Sequence, residues 1–211
     1  MEHQRVGVRG RGAAHDERRG AILDAVFTIV DTEGTEQVSI RRVAERAGVS
    51  VGRVQHYFPT KDDLLNAAFT AINDLGASRV HERLGAAGNA GDPAAVLHAV
   101  LTELIPRTDD DRRLFRVMQA FETHALTRPH LNDRVKQGYQ ELAALLALLL
   151  HQNAGARPDS ATSASLPRAH ELLALTVGLA GLTLTGSVTP QQAQHIALTR
   201  LEAVLAEVPG R

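Results

Sequence analysis

The chain has 211 residues, 44% of them hydrophobic, which is enough to build a core and excludes a wholly disordered protein. Aromatics make up only 3% and tryptophan is absent, so Leu, Ala and Val must supply that core. No cysteine is present, which excludes disulfide scaffolds and thiolate chemistry, and a net charge of −1 excludes a uniformly basic nucleic-acid binder.

Residues 1–15, with Arg5, Arg9 and Arg11 among glycines, are expected to form a flexible arm. This leader has no apolar signal-peptide core, and together with the missing cysteines that is compatible with a reducing cytoplasm. A first helix is expected from Asp16 to Thr32, where Ile22, Ala25, Val26, Ile29 and Val30 recur at helical spacing. Ser39 caps a second helix with Ile40, Val43, Ala44 and Ala47 inward, and Gly48 stops it. Ser50 caps a third, with Val54 and Phe58 inward, which Pro59 ends. Thr60 to Asp63 has the form of a capping box and opens a fourth helix, Lys61 to Leu84. Two short helices joined by a tight turn are the layout of a helix-turn-helix, so residues 16–62 are expected to bind DNA. The charge agrees: from Val38 to Lys61, Arg41, Arg42, Arg46, Arg53 and Lys61 stand against the single acid Glu45.

Residues 63–211 are expected to form a larger helical body. After a loop at Gly85–Gly91, Asp92-Pro93 opens a fifth helix that runs to Ile105. The sixth, Asp111 to Leu126, carries Leu114, Phe115, Met118, Phe121 and Ala125 on its apolar face; the seventh covers Pro129 to Asn153. A polar loop at Gly155–Ser165 precedes an eighth helix, Leu166 to Ser187, and Thr189 to Gln192 is a capping box that starts a ninth, ending at Glu207. No segment alternates like a strand, so the fold class is all-α: a three-helix head on a helical body, about nine helices in all. The uncharged stretch Leu172–Gln194 holds roughly 17 apolar residues broken by Gly, Thr and Pro, which favours a buried helix over a membrane span.

The outward side of the third helix carries the chemistry for reading bases in the major groove. Arg53 can pair with guanine and Gln55 with adenine, each bidentate; Gly52 permits close approach, and Val51, His56 and the cap Ser50 surround them. No nucleophile elbow, phosphate-cradling loop or metal-spaced histidine pair is present, so no enzyme activity, metal or cofactor is expected.

Three ordered motifs give the head a family resemblance: AILDAVFTIVDTEG, VAERAGVS and HYFPTKDDLL resemble the DNA-binding head of TetR-family transcriptional regulators. In the body, RLFRVMQAFETHALTRPHL, GYQELAALLALLL and LLALTVGLAGLTLTGSVTPQQA resemble the C-terminal domain of the subgroup that includes the choline-responsive repressor of betaine synthesis. The resemblance covers about residues 16–206. It implies DNA contacts from Arg41, Val51, Gly52, Arg53, Gln55, Tyr57 and Lys61, the last two on phosphates. It also implies a homodimer on a palindromic operator, released by an unidentified small-molecule effector. The effector's pocket is expected among His98, Phe115, Met118, Gln119, Glu122 and Tyr139, with His124 as a further polar contact. No aromatic cage for a quaternary ammonium is visible, so choline does not carry over with the resemblance. Helix eight is apolar nearly all round and helix nine amphipathic, so Ala174, Gly178, Gly181, Leu182, Thr185, Ile196 and Leu201 are expected at the dimer interface. A constitutive or architectural DNA-binding protein without ligand, and an activator of the same fold, remain open alternatives.

Overall fold

The computed structural model describes residues 9–89, 91–154 and 165–207. Among these every regular element is helical, in the order α1 (Arg9–Glu33), a 3-10 turn (Thr35–Gln37), α2 (Ile40–Arg46), α3 (Val51–Tyr57), α4 (Lys61–Ala87), α5 (Pro93–Glu103), α6 (Asp109–Ala125), α7 (Pro129–Asn153), α8 (Leu166–Leu184) and α9 (Pro190–Ala206). The fold is all-α, as expected. The chain forms two compact units, and the division falls within α4 and α6: the first reaches Ala71 and includes Val117–His124, and the second holds Ile72–Arg116 and the chain from Ala125 onward. The sequence alone puts this boundary at residues 62–63 and assigns all of α6 to the body.

The first unit is built on α1, which buries Ile22, Leu23, Val26, Ile29 and Val30. Val43 and Ala44 from α2, Val54 from α3, and Leu64 and Leu65 from α4 are buried too, as is Phe58 just after α3. Each of these Val, Leu, Ile and Phe side chains withdrawn from water contributes about 1.5–3 kcal/mol. The caps are those expected: the Ser39 and Ser50 hydroxyls accept from Arg42 N (3.3 Å) and Arg53 N (3.2 Å). Thr60 and Asp63 close a capping box, with Asp63 N donating to Thr60 Oγ1 at 3.1 Å and Thr60 N to Asp63 Oδ2 at 3.1 Å.

The turn between α2 and α3 rests on Gly48, at φ 65. Gly48 N donates to Glu45 O (3.2 Å) and Val49 N to Ala44 O (3.0 Å), so two orphan carbonyls of α2 are satisfied at once. That geometry needs a left-handed residue. Gly48→Val is expected to destabilise the protein by about 1–3 kcal/mol, the cost of forcing a β-branched residue into that region. Urea unfolding measures it, and an unchanged midpoint would show that the turn relaxes freely.

Two boundaries correct the sequence reading. Helix α1 starts at Arg9, not Asp16, so residues 9–15 of the expected arm are helical; residues 1–8 lie outside the described residues. Ala13, Ala14, Glu17 and Arg18 are good helix formers, and the Tyr57 hydroxyl donates to the His15 carbonyl at 3.4 Å, which ties this added stretch to α3. Helix α4 continues through Gly85 and Ala86 of the expected loop and stops at Gly88 (φ 69), where Asn89 N donates to Leu84 O. The polar segment 155–164 lies outside the described residues.

In the second unit Leu97 and Leu101 of α5, Leu146 and Leu150 of α7, Leu172 of α8, and Leu201 and Val204 of α9 form one buried cluster. Ile105, Leu179, Ala193 and Ala197 form a smaller one. Hydroxyls buried in α8 fold back onto their own helix, Thr176 to Leu172 O (2.7 Å) and Thr183 to Leu179 O (2.9 Å). The Thr189–Gln192 capping box of α9 forms as expected. No described helix is long and apolar enough to cross a membrane.

Candidate nucleic-acid interface

Burial of Val54 and Phe58 fixes the rotation of α3. Val51, Gly52, Arg53, Gln55 and His56 are therefore exposed together on its other side, with the cap Ser50 at their start. Arg41 and Arg46 of α2 are exposed as well. An added Cβ at Gly52 would meet nothing within 4 Å, so this glycine is not required by packing inside the chain. The Arg53 guanidinium makes no side-chain bond among the described residues, which leaves its planar fork of donors for a base edge.

Two expected phosphate contacts are engaged within the head. The Tyr57 hydroxyl donates to His15 O, and its ring sits 4.6 Å from the His15 ring and 5.5 Å from that of His56. Lys61 Nζ donates to Glu36 O at 3.3 Å. An ammonium carries three donors, so Lys61 keeps capacity for a phosphate oxygen while this bond holds it in place. A phenol has one donor, so in this conformation Tyr57 cannot also donate to a phosphate. Arg42 is held by Gln37 Oε1 (2.6 Å) and by the Glu33 carboxylate. His15 escapes a reading of the sequence because it lies before the expected start of α1, Gln37 because a 3-10 turn has no periodicity to detect, and Glu33 because it sits at the very end of α1, past the expected last residue Thr32.

The residues expected around a ligand divide by exposure. Phe115, Met118, Glu122 and Tyr139 are half-buried, and Tyr139 packs on the main core cluster of the body. His98 and Gln119 are exposed, which corrects their expected inward orientation: His98 sits on α5 between Leu97 and Ala99, whose burial turns it outward. His124 is buried, but its Nδ1 faces Thr35 and Glu36. No group of three or more His, Asp or Glu able to hold a metal occurs among the described residues.

The residues expected at a dimer interface lie on α8 and α9. Ala174, Gly178, Leu182 and Thr185 are exposed along one side and Gly181 is half-exposed. On α9, Ile196 is 43% exposed. Leu201 is the exception, at 1% exposure inside the body's main cluster, because it faces Leu172 and Val204 rather than solvent; it is removed from the interface set.

A three-helix head with a capped helix-turn-helix and an exposed polar recognition face defines a helix-turn-helix DNA-binding protein. The profile described as "Bacterial regulatory proteins, tetR family" matches residues 22–68. That described as "BetI-type transcriptional repressor, C-terminal" matches residues 93–206, over half of the chain. The chain belongs to the TetR family of transcriptional regulators and carries a BetI-type C-terminal domain. It is similar to the HTH-type transcriptional regulator PksA of Bacillus subtilis, at 30% identity over 66% of this chain and 70% of that one. Similarity to the HTH-type transcriptional regulator BetI 1 of Chromohalobacter salexigens, at 28% identity, extends over 90% of this chain and 91% of the relative. A crystal structure of a TetR-family regulator from Rhodococcus sp. superposes with a TM-score of 0.77 at 25% identity, covering 90% of this chain and 99% of that one. These relatives are transcriptional regulators and not enzymes.

Proposed function

We propose that the protein is a homodimeric repressor that binds a palindromic operator through α3 and is released by a small-molecule effector held in its BetI-type domain. The observation that carries the DNA-reading part is the exposed set Val51, Gly52, Arg53, Gln55 and His56, presented by a helix whose opposite side is locked by buried Val54 and Phe58. Such a face fits the major groove, where Arg53 offers two donors to guanine and Gln55 a donor and an acceptor to adenine. The exposed arginines Arg41 and Arg46, together with Lys61, supply contacts to the backbone, which position the head without reading sequence. The exposed small-residue side of α8 supports a two-fold partner, and two identical heads require a palindrome. The half-buried Phe115, Met118, Glu122 and Tyr139 are the proposed effector contacts.

Duplexes selected from random-sequence DNA by the wild-type protein test the reading. They are expected to converge on a palindrome. Arg53→Ala is expected to lose about 1–3 kcal/mol of discrimination at one base pair of each half-site, measured by competition binding. If the selected set has no two-fold symmetry, or Arg53→Ala selects the same sequences as strongly, the assignment of α3 falls.

A further inference from the structure

We propose that His124, at the C-terminal end of α6, is a positioning residue for DNA binding: through the turn Thr35–Gln37 it fixes Lys61, one of the cations that hold the phosphate backbone. The inference rests on the assignment of Lys61 as a phosphate contact. His124 is 6% exposed, and its Nδ1 lies 3.2 Å from Thr35 Oγ1 and 3.1 Å from Glu36 Oε1. A carboxylate only accepts, so the proton belongs on Nδ1 and both oxygens share it. The turn is just three residues long, and two of its acceptors meet cations of α4 and α2. Glu36 O accepts from Lys61 Nζ at 3.3 Å, and Gln37 Oε1 accepts from Arg42 Nη1 at 2.6 Å. Consecutive residues thus bond α6 on one side and Lys61 and Arg42 on the other. A 3-10 turn has poorer internal hydrogen bonds than an α-helix, so outside contacts must set its conformation. The buried imidazole is the contact with the fewest alternatives: it cannot swing to water as the exposed Glu36 chain can. Shifting or rotating the end of α6 would therefore move the Glu36 carbonyl and let Lys61 lose its fixed position, with no change in α3 itself.

The test uses the wild-type-selected duplex and the slope of log binding constant against log salt, whose magnitude falls by about 0.9 for each phosphate that the protein no longer neutralises. Lys61→Ala is expected to lower the slope by about that amount and affinity by about tenfold, the scale of one hydrogen bond to a charged group. His124→Leu is expected to reproduce both effects, and the double variant to bind no more weakly than Lys61→Ala alone. His124→Asn, which keeps an N–H near the Nδ1 position, is expected to stay near wild type. A residue that only filled space would lower stability and leave the slope intact. If Lys61→Ala leaves the slope unchanged, the phosphate assignment itself is wrong. If Lys61→Ala lowers it while His124→Leu does not, only the positioning role is overturned. Should His124→Leu fail to fold, Glu36→Ala decides: removing an acid beside the DNA face should strengthen binding by charge alone, so weaker binding with a reduced slope supports the proposal and stronger binding overturns it.

Discussion

Gly178→Glu is expected to yield a folded monomer that no longer holds operator DNA. Gly178 lies mid-way along α8 on the side shared by Ala174, Leu182 and Thr185, all exposed in the protomer. An added Cβ there meets nothing within 4 Å, so the protomer's own packing does not oppose a larger side chain. Within α8 the glycine weakens the helix by about 1 kcal/mol relative to alanine, so replacing it should if anything favour the folded protomer. A two-fold contact on this face would have the opposite response. Two-fold symmetry makes each substitution count twice, and it places two like charges near the axis in a setting of Leu and Ala. An uncompensated buried charge costs about 3–5 kcal/mol, so dimer affinity should fall by a factor on the order of a thousand or more. Sedimentation velocity and operator binding, with thermal unfolding as the control on fold, check the result. A Gly178→Glu protein that sediments as a dimer would remove this side of α8 from the interface.

The same residues show why the fold was legible in the sequence. Helical spacing of apolar residues survives any tertiary context, and the caps Ser39, Ser50, Asp92 and Thr189 bond within three residues, so their partners are fixed locally. Boundaries set by distant contacts were not legible. The start of α1 at Arg9 is supported by Tyr57, 42 residues along the chain from His15, and the local helix formers Ala13 and Ala14, preceded by Gly10 and Gly12, do not announce it alone. Leu201 and Ile196 both lie on the amphipathic α9 and look alike in sequence. Whether a leucine at this spacing meets its own core or a second chain depends on which helix lies opposite, and for Leu201 that is α8 and the buried Leu172.

The DNA-facing side divides in the same way. Exposure of Arg53 and Gln55 follows from two inward residues on and just after a seven-residue helix, so the sequence was sufficient. The bonds of Tyr57, Lys61 and Arg42 were invisible because their partners are backbone carbonyls, the side chain of Gln37 in a turn without periodicity, or Glu33 at the very end of α1. His124 misled for a related reason. A histidine on an apolar helix near Phe121 invites a ligand role, yet its nearest partners include Thr35, 89 residues away.

Arg79→Ala is expected to lower stability by about 2 kcal/mol at neutral pH and to flatten its decline in acid. Arg79 Nη1 reaches Glu103 Oε1 at 3.2 Å and Asp111 Oδ1 at 2.8 Å, which joins α4 to the end of α5 and the start of α6. Glu103 and Asp111 have side chains only 9% and 11% exposed, so removing their shared cation leaves two nearly buried carboxylates. Breaking a buried pair costs about 3–5 kcal/mol; the lower figure follows because Arg79 is a third exposed and Glu103 keeps Arg83 (3.0 Å) and Arg107 (3.4 Å). Burial pushes the Asp111 carboxyl up, but the Thr108 and Arg107 backbone amides, the Thr108 side chain and the Arg79 charge together hold it below its ordinary 3.8. A carboxyl lowered on folding contributes stability that is present above 3.8 and is lost as pH falls through the lower, folded value. Without Arg79 burial opposes fewer partners, the folded value moves up towards the unfolded one, and this acid-sensitive part shrinks. Urea midpoints measured from neutral pH down to about pH 2 should therefore converge for wild type and Arg79→Ala below the carboxylate range. Parallel curves with a constant gap would show that Arg79 acts through packing of its aliphatic stem and not through charge.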